Sequence, residues 1–175
     1  MSAELDAHRD RLVVVFSHHT AQTMDNPLGS VLRPRVLGHH VRELLLDPPA
    51  VVAWVNGHTH INRITPHARR AGAGGFWEIT TASHIDWPQQ ARLVEIVGNV
   101  DGTVSVFTTM IDTVADPTPP PTLEVPAALA AWSRELAGND WQFRGDGVAG
   151  PDGYRGSLLD RNTELVLPMP RGLCS

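Results

Sequence analysis

The sequence predicts an α/β fold in which a mixed sheet begins with a βαβ unit and continues as antiparallel strands. Three observations carry this prediction. Two short apolar runs rich in β-branched residues, Leu12–Phe16 and Val51–Val55, flank a segment with helical spacing. After Val55 the strand-like runs follow one another with turn residues, and no helix, between them.

Taken in order, residues 3–11 have helix-tolerant composition and lead into Leu12–Phe16, whose unbroken apolar character fits a strand covered on both faces. Val36, Leu37, Val41, Leu44 and Leu45 then keep helical spacing until Asp47-Pro48-Pro49 stops the helix. Val51–Val55 is the second buried strand. A strand, helix and strand in roughly 45 residues favour a parallel pair joined by a right-handed crossover. Ile61–Thr65, Phe76–Ala82, Arg92–Val97 and Thr103–Ile111 read as an antiparallel ribbon. Turns separate its strands at Gly72–Gly75 and at Gly98–Gly102, the second ending in Asp-Gly. Asp116–Pro121 reads as a stiff, extended linker. Pro126–Ala137 is a helix ended by Gly138-Asn139, and 140–158 is Gly-rich loop. The chain therefore divides into a sheet-bearing part, 1–115, a Pro-rich linker, 116–122, and a helix with a Gly-rich tail, 123–175.

Composition narrows the function classes. The chain has 175 residues with 42% hydrophobic content, enough for one domain with its own core. Its 14 basic residues are all Arg against 19 acidic ones, a net charge of -5 that argues against a nucleic-acid face. The single Cys, Cys174, excludes an internal disulfide framework and a Cys-based zinc site. The longest apolar stretches, Ala50–Val55 and Ala127–Trp132, fall far short of the ~20 residues that span a bilayer. The charged start of the chain has no apolar signal core, so the expected location is cytoplasmic.

Nine histidines are a high count for this length, and their positions matter more than their number. Asn56-Gly57-His58-Thr59-His60 follows a buried strand directly. Gly57 permits a tight turn, and residues two apart in extended chain project to one side, so both imidazoles can face one metal centre. The alternative is a surface loop with two incidental histidines. Ser17-His18-His19-Thr20 likewise ends a buried strand, and the crossover brings the two strand ends alongside each other, where sites of α/β sheets form. Adjacent residues in extended chain point in opposite directions, so at most one of this pair is expected to ligate.

A strand ending in Ser17-His18-His19, a helix, a second strand and Gly57-His58-Thr59-His60 together resemble the C-terminal half of the calcineurin-like metallophosphoesterases. The likeness spans residues 12–115. The tail segments Ser133–Asp140 and Asp160–Val166 also look like those of a bacterial branch of these proteins. The resemblance implies an αββα sandwich carrying a dinuclear centre of divalent Mn, Fe or Zn and hydrolysis of phosphate mono- or diesters. His18 and His58 would ligate one metal and His60 the other. His19 would be a catalytic residue facing the substrate, and His84 and Asp86 would border the substrate.

The family's motifs DxH, GDxxD and GNH(D/E) belong upstream of His18, where this sequence has 17 residues. Three near-matches are rejected. Asp6-Ala7-His8 lacks a preceding strand, Gly98–Asp101 lacks the His and follows GHTH, and Gly145-Asp146 lacks the second Asp. Two cations about 3.5–4 Å apart need a bridging carboxylate, which three neutral imidazoles do not provide. The expectation is thus a truncated phosphoesterase, active when a missing N-terminal half completes it. The alternatives are a non-catalytic metal-binding or interaction fragment, and a mononuclear centre of His18, His58 and His60 with an open water position. Asp25 and Asp86 are the candidate carboxylates for such a centre, against a plain role as turn or surface charge. A half-sandwich should leave Leu12–Phe16 and Val51–Val55 less buried than their composition demands. His39 and His40 belong to the crossover helix and Arg69-Arg70 to a hairpin flank; His8 and His67 carry no motif signal.

Overall fold

The computed structural model describes residues 1–25, 35–70, 74–113, 118–140, 153–170 and 172–173. Gly72-Ala73 of the first expected turn, Asp116-Pro117 of the linker, most of the Gly-rich tail with Gly145-Asp146, and Cys174 lie outside the described residues. The described chain is mixed α/β with two sheets. Its elements run α1 (Ser2–Ala7), β1 (Val13–Phe16), α2 (Ala21–Met24), α3 (Gly38–Leu46), β2 (Val51–Asn56), β3 (Arg63–Ala68), β4 (Gly75–Thr80), β5 (Ala91–Gly98), β6 (Thr103–Ile111), α4 (Pro126–Asn139) and β7 (Thr163–Pro168). None of the described helices is long and apolar enough to cross a membrane.

The first sheet is mixed, in the order β1-β2-β4-β3. β1 and β2 pair in parallel, as the βαβ reading expects, with α2 and α3 in the crossover. β3 and β4 form an antiparallel hairpin, but β4 lies parallel to β2, which corrects the expectation of a continuous antiparallel ribbon after Val55. The reason is geometric. The hairpin sets its second strand, not its first, against β2, and a hairpin docked that way must run its near strand parallel to β2. Phe76, Ile79 and Thr80 on β4 are buried, whereas β3 is left at the sheet edge with Arg63, Pro66 and Ala68 exposed.

The second sheet is antiparallel, in the order β5-β6-β7. β7 has no counterpart in the sequence reading, although Thr163–Leu167 carries the alternation of a half-buried strand, with Leu165 and Leu167 turned inward. It brings a segment from beyond the linker into the sheet-bearing part.

Period-two alternation, interrupted once by a bulge between the Val13–Val51 and Val14–Ala53 pairs, sorts the side chains of the mixed sheet and sets Val51 on the same face as Trp54. Ala53 and Ile79, with Val14, Val55, Ile64 and Trp77, pack against Val106, Leu165 and Val94 of the second sheet. On the opposite face Val51, Trp54 and Phe76 pack under Leu5 of α1, Ala21 of α2 and Leu45 of α3. Val51–Val55 is therefore buried, contrary to the half-sandwich expectation, because β1 and β4 flank it and a layer covers each face. Leu12–Phe16 has a layer on each face, Val13 and Val15 packing into the helix-side core and Val14 against the second sheet, but it is less buried than its composition suggests. β1 is the sheet edge, its valines are half-buried, and Phe16 is 74% exposed.

On the helix-covered face the β4 residues beyond Phe76 turn polar. Glu78 and Thr80 lie there with Asn56 of β2, and the register sets Thr65 opposite Glu78 and Arg63 opposite Thr80. Glu78 is buried and accepts hydrogen bonds from the Ala21 N–H (2.8 Å) and Asn56 Nδ2 (2.8 Å). His67 Nε2 lies 2.7 Å from the same carboxylate. Burial acts to raise the Glu78 pKa, but hydrogen bonds from His67, Ala21 and Asn56 outweigh it and hold the carboxyl below its ordinary value. One carboxylate thus ties α2, β2 and β3 together.

Candidate metal centre

The parallel strands β1, β2 and β4 deliver Ser17, Gly57 and Thr81 to one edge of the mixed sheet. Backbone bonds lock these ends: Ser17 N–H to the Val55 carbonyl (3.1 Å), Gly57 N–H to the His18 carbonyl (3.1 Å) and Thr81 N–H to the Asn56 carbonyl (2.9 Å). The chain then leaves extended geometry at once. Ser17 Oγ donates to the His19 carbonyl (2.8 Å) and accepts from Trp54 Nε1 (2.8 Å), so residues 17–19 curl over the strand end. Thr20 caps α2 in a reciprocal box with Thr23, and His19 Nδ1 lies 3.4 Å from Thr23 Oγ1.

This curl brings both histidines of the first pair to His58. His18 Nε2 is 3.0 Å from His58 Nδ1, and the ring centroids of His19 and His58 are 4.0 Å apart. Each of the three offers a ring nitrogen within 4.8 Å of the others, and all three residues are exposed. Among the described residues they form the one group of three or more potential metal ligands so close together. The His58 imidazole is held below its ordinary pKa, first by burial of its ring and then by the neighbouring His19, His18 and His60. Although His58 as a whole is exposed, its ring is sandwiched near two others, and that local crowding disfavours the charged form. A neutral ring is the form that ligates.

His60 takes a different direction. Its Nδ1 lies 2.5 Å from Asp86 Oδ2, on the loop after β4, and it does not belong to the group of three. His58 and His60 both have left-handed backbone, at φ 62° and 57°, so the same-side projection expected for residues two apart in extended chain does not apply. The opposite-side rule fails for His18 and His19 because residues 17–19 curl over the end of β1 instead of continuing extended.

The other candidates are dispersed. His84 lines a separate cavity of about 350 Å³ with Gln89, Asp112 and Ser133. Asp25 pairs with His39, accepting from its backbone N–H (3.1 Å) and lying 2.9 Å from Nδ1. His40 stacks on His39, His8 sits 3.8 Å from Glu4, and Arg69 donates to the Leu46 and Pro48 carbonyls. Arg70 faces Glu43 at 3.4 Å. Trp87 packs with Ile61 and Tyr154, and the guanidiniums of Arg134 and Arg155 lie over its ring. His67 and Glu78 form a buried pair that no motif singles out.

A scan against models of known protein families finds no match to this chain, and no curated protein sequence matches it.

Proposed function

We propose that His18, His19 and His58 hold one divalent transition-metal ion, Mn, Fe or Zn, and that this centre belongs to a phosphoester hydrolase of the metallophosphoesterase type. The observation that carries the reading is the convergence of three ring nitrogens within 4.8 Å at neighbouring ends of parallel strands. The spacing suits a metal. Two nitrogens bound tetrahedrally at about 2.0–2.1 Å lie about 3.3 Å apart, against 3.0 Å between His18 Nε2 and His58 Nδ1. The pairing of two β-sheets face to face, with helices over the mixed one, is compatible with an αββα sandwich and supports the same reading.

The ligand set sets the stoichiometry. No Asp or Glu among the described residues joins the three imidazoles, so nothing there offsets the repulsion of a second cation. A bound ion would supply Lewis acidity and lower the pKa of a water on it to about 7. The chain's own residues contribute imidazole ligands, with Thr23 beside His19 and the Gly57 N–H fixing the His18 loop. The dinuclear centre of the family would need carboxylates from a polypeptide segment carrying DxH, GDxxD and GNH(D/E). The all-histidine set also favours a second reading, a non-catalytic metal-binding protein.

Zinc titration by calorimetry, together with turnover of an activated phosphodiester in the presence of manganese, tests both. The expected result is one equivalent of zinc bound, lost in His18→Ala and His58→Ala, with near-background turnover. Adding a segment that bears the three carboxylate motifs should raise turnover, and His58→Ala should remove the gain. Binding that survives both substitutions refutes the metal centre; binding without any gain in turnover leaves the non-catalytic reading.

A further inference from the structure

A cavity of about 320 Å³ lies on the helix-covered face of the mixed sheet, walled by α2, α3, β3, β4 and the loop after β2. Its size is that of a small-molecule site. Its lining is unusual in charge. Arg42 from α3 and Arg63 from β3 both border it, and among the described residues neither guanidinium has a hydrogen bond or an ion pair. The side chains of Gln22, Thr59 and Thr65 border it too, likewise without a side-chain partner among the described residues.

The acidic groups in the wall do not answer these donors. Both Glu78 carboxylate oxygens are engaged, by Ala21, Asn56 and His67, and Asp25 is engaged by His39. Thr80 Oγ1 donates to Asn56 Oδ1, and Thr20 is taken up in capping α2. What remains unanswered is two permanently charged guanidinium forks and three polar side chains, all capable of donating, around one concavity. A guanidinium presents paired N–H groups that match the two oxygens of a carboxylate or phosphoryl group.

We propose that this cavity binds a small oxyanion-bearing compound, its phosphoryl or carboxylate group held between Arg42 and Arg63 and its remaining oxygens by Gln22, Thr59 and Thr65. The inference does not depend on metal at the histidine cluster, since none of the three clustered histidines lines the cavity. The two places are nonetheless linked along the chain. Thr20 and Thr59 in the wall directly follow His19 and His58.

The test is calorimetric titration of the metal-free full chain, kept in chelator, with pyrophosphate and separately with succinate, at matched ionic strength. Saturable binding of at least one probe is expected, and the stronger arm identifies the phosphoryl or the carboxylate source. Arg42→Gln and Arg63→Gln should each weaken it by about tenfold or more, the size of one lost charge-assisted hydrogen bond, and the double variant should show none. Arg70→Gln, which removes an arginine paired with Glu43 outside the cavity, should leave it unchanged. Because neither Arg42 nor Arg63 has a protein partner among the described residues, their variants should melt as the parent does, which separates lost binding from lost folding. Failure of both probes to bind saturably, unchanged affinity in the double variant, or an equal loss of binding in Arg70→Gln overturns the proposal. Zinc titration of the double variant reports separately on the histidine centre.

Discussion

Replacing Glu78 by Ala removes the acceptor on which three elements converge. The structure gives the carboxylate contacts of 2.8, 2.8 and 2.7 Å from Ala21 N, Asn56 Nδ2 and His67 Nε2, in a residue only 6% exposed. Each hydrogen bond to a charged group is worth about 1.5–3 kcal/mol, and the cost of burying the carboxylate offsets part of that sum. Removing one member of a buried pair typically costs about 3–5 kcal/mol, because the partners are left unanswered. For a chain of this length that lowers Tm by about 10 °C. Glu78→Gln keeps the shape and one acceptor oxygen, so about half the loss is expected. The pH dependence has a definite sign. Hydrogen bonding lowers the folded pKa beneath the ordinary value of 4.5, so the carboxylate's contribution is complete above 4.5 and is lost as pH falls through the folded value. Differential scanning calorimetry of parent and Glu78→Gln should therefore show a gap near neutrality that narrows as pH falls below 4.5 and through the folded value. The reasoning is refuted by a Glu78→Ala protein that melts within about 2 °C of the parent, or by a gap that stays constant across the acid range.

Two further substitutions probe the neighbourhood of the histidines. Gly38 opens α3 where a Cβ would stand 1.8 Å from the Ala21 carbonyl oxygen, so Gly38→Ala should force α2 and α3 apart and cost about 1–3 kcal/mol in urea unfolding; a neutral result would mean that the two helices are not in this contact. Asp86→Ala releases His60 from its carboxylate, and zinc affinity of the chain should change less than tenfold if His18, His19 and His58 are the ligands. A loss of about tenfold to a hundredfold would place His60 in the centre, with Asp86 orienting it.

The parts of this fold that are legible in the sequence are those set by local periodicity. Leu12–Phe16 and Val51–Val55 announce strands, and the spacing of Val41, Leu44 and Leu45 announces the helix between them, because each pattern is complete within a few residues. Pairing partners are another matter. That β4 rather than β3 meets β2 is decided by Ala53, Val55 and Ile79 packing against Val106 and Leu165, contacts made across long stretches of chain. The same holds for β7, whose place is decided by β6 through the register of Leu165 on Val106. Apolar composition also misreads an edge strand. The run that ends in Phe16 is as apolar as the one that ends in Val55, and only neighbours on both flanks distinguish their burial.

At the histidine cluster the obstacle is backbone conformation rather than distance along the chain. Neighbouring parallel strand ends were enough to bring Ser17-His18-His19 near Gly57-His58, but which rings meet depends on angles that the residue types do not announce. A histidine in the left-handed region is uncommon, and each such residue costs on the order of 1–3 kcal/mol unless its surroundings fix it. Two of them two residues apart, at His58 and His60, need such fixing. The Gly57 N–H bond to the His18 carbonyl and the Thr59 N–H bond to the Gly57 carbonyl (2.7 Å) hold the first, and the Asp86 carboxylate holds the second. With the loop left-handed at His58, its Nδ1 lies 3.0 Å from His18 Nε2 and its ring centroid 4.0 Å from that of His19. The uncommon backbone and the convergence thus fall on one residue. That coincidence is the physical ground on which we propose the cluster as a site.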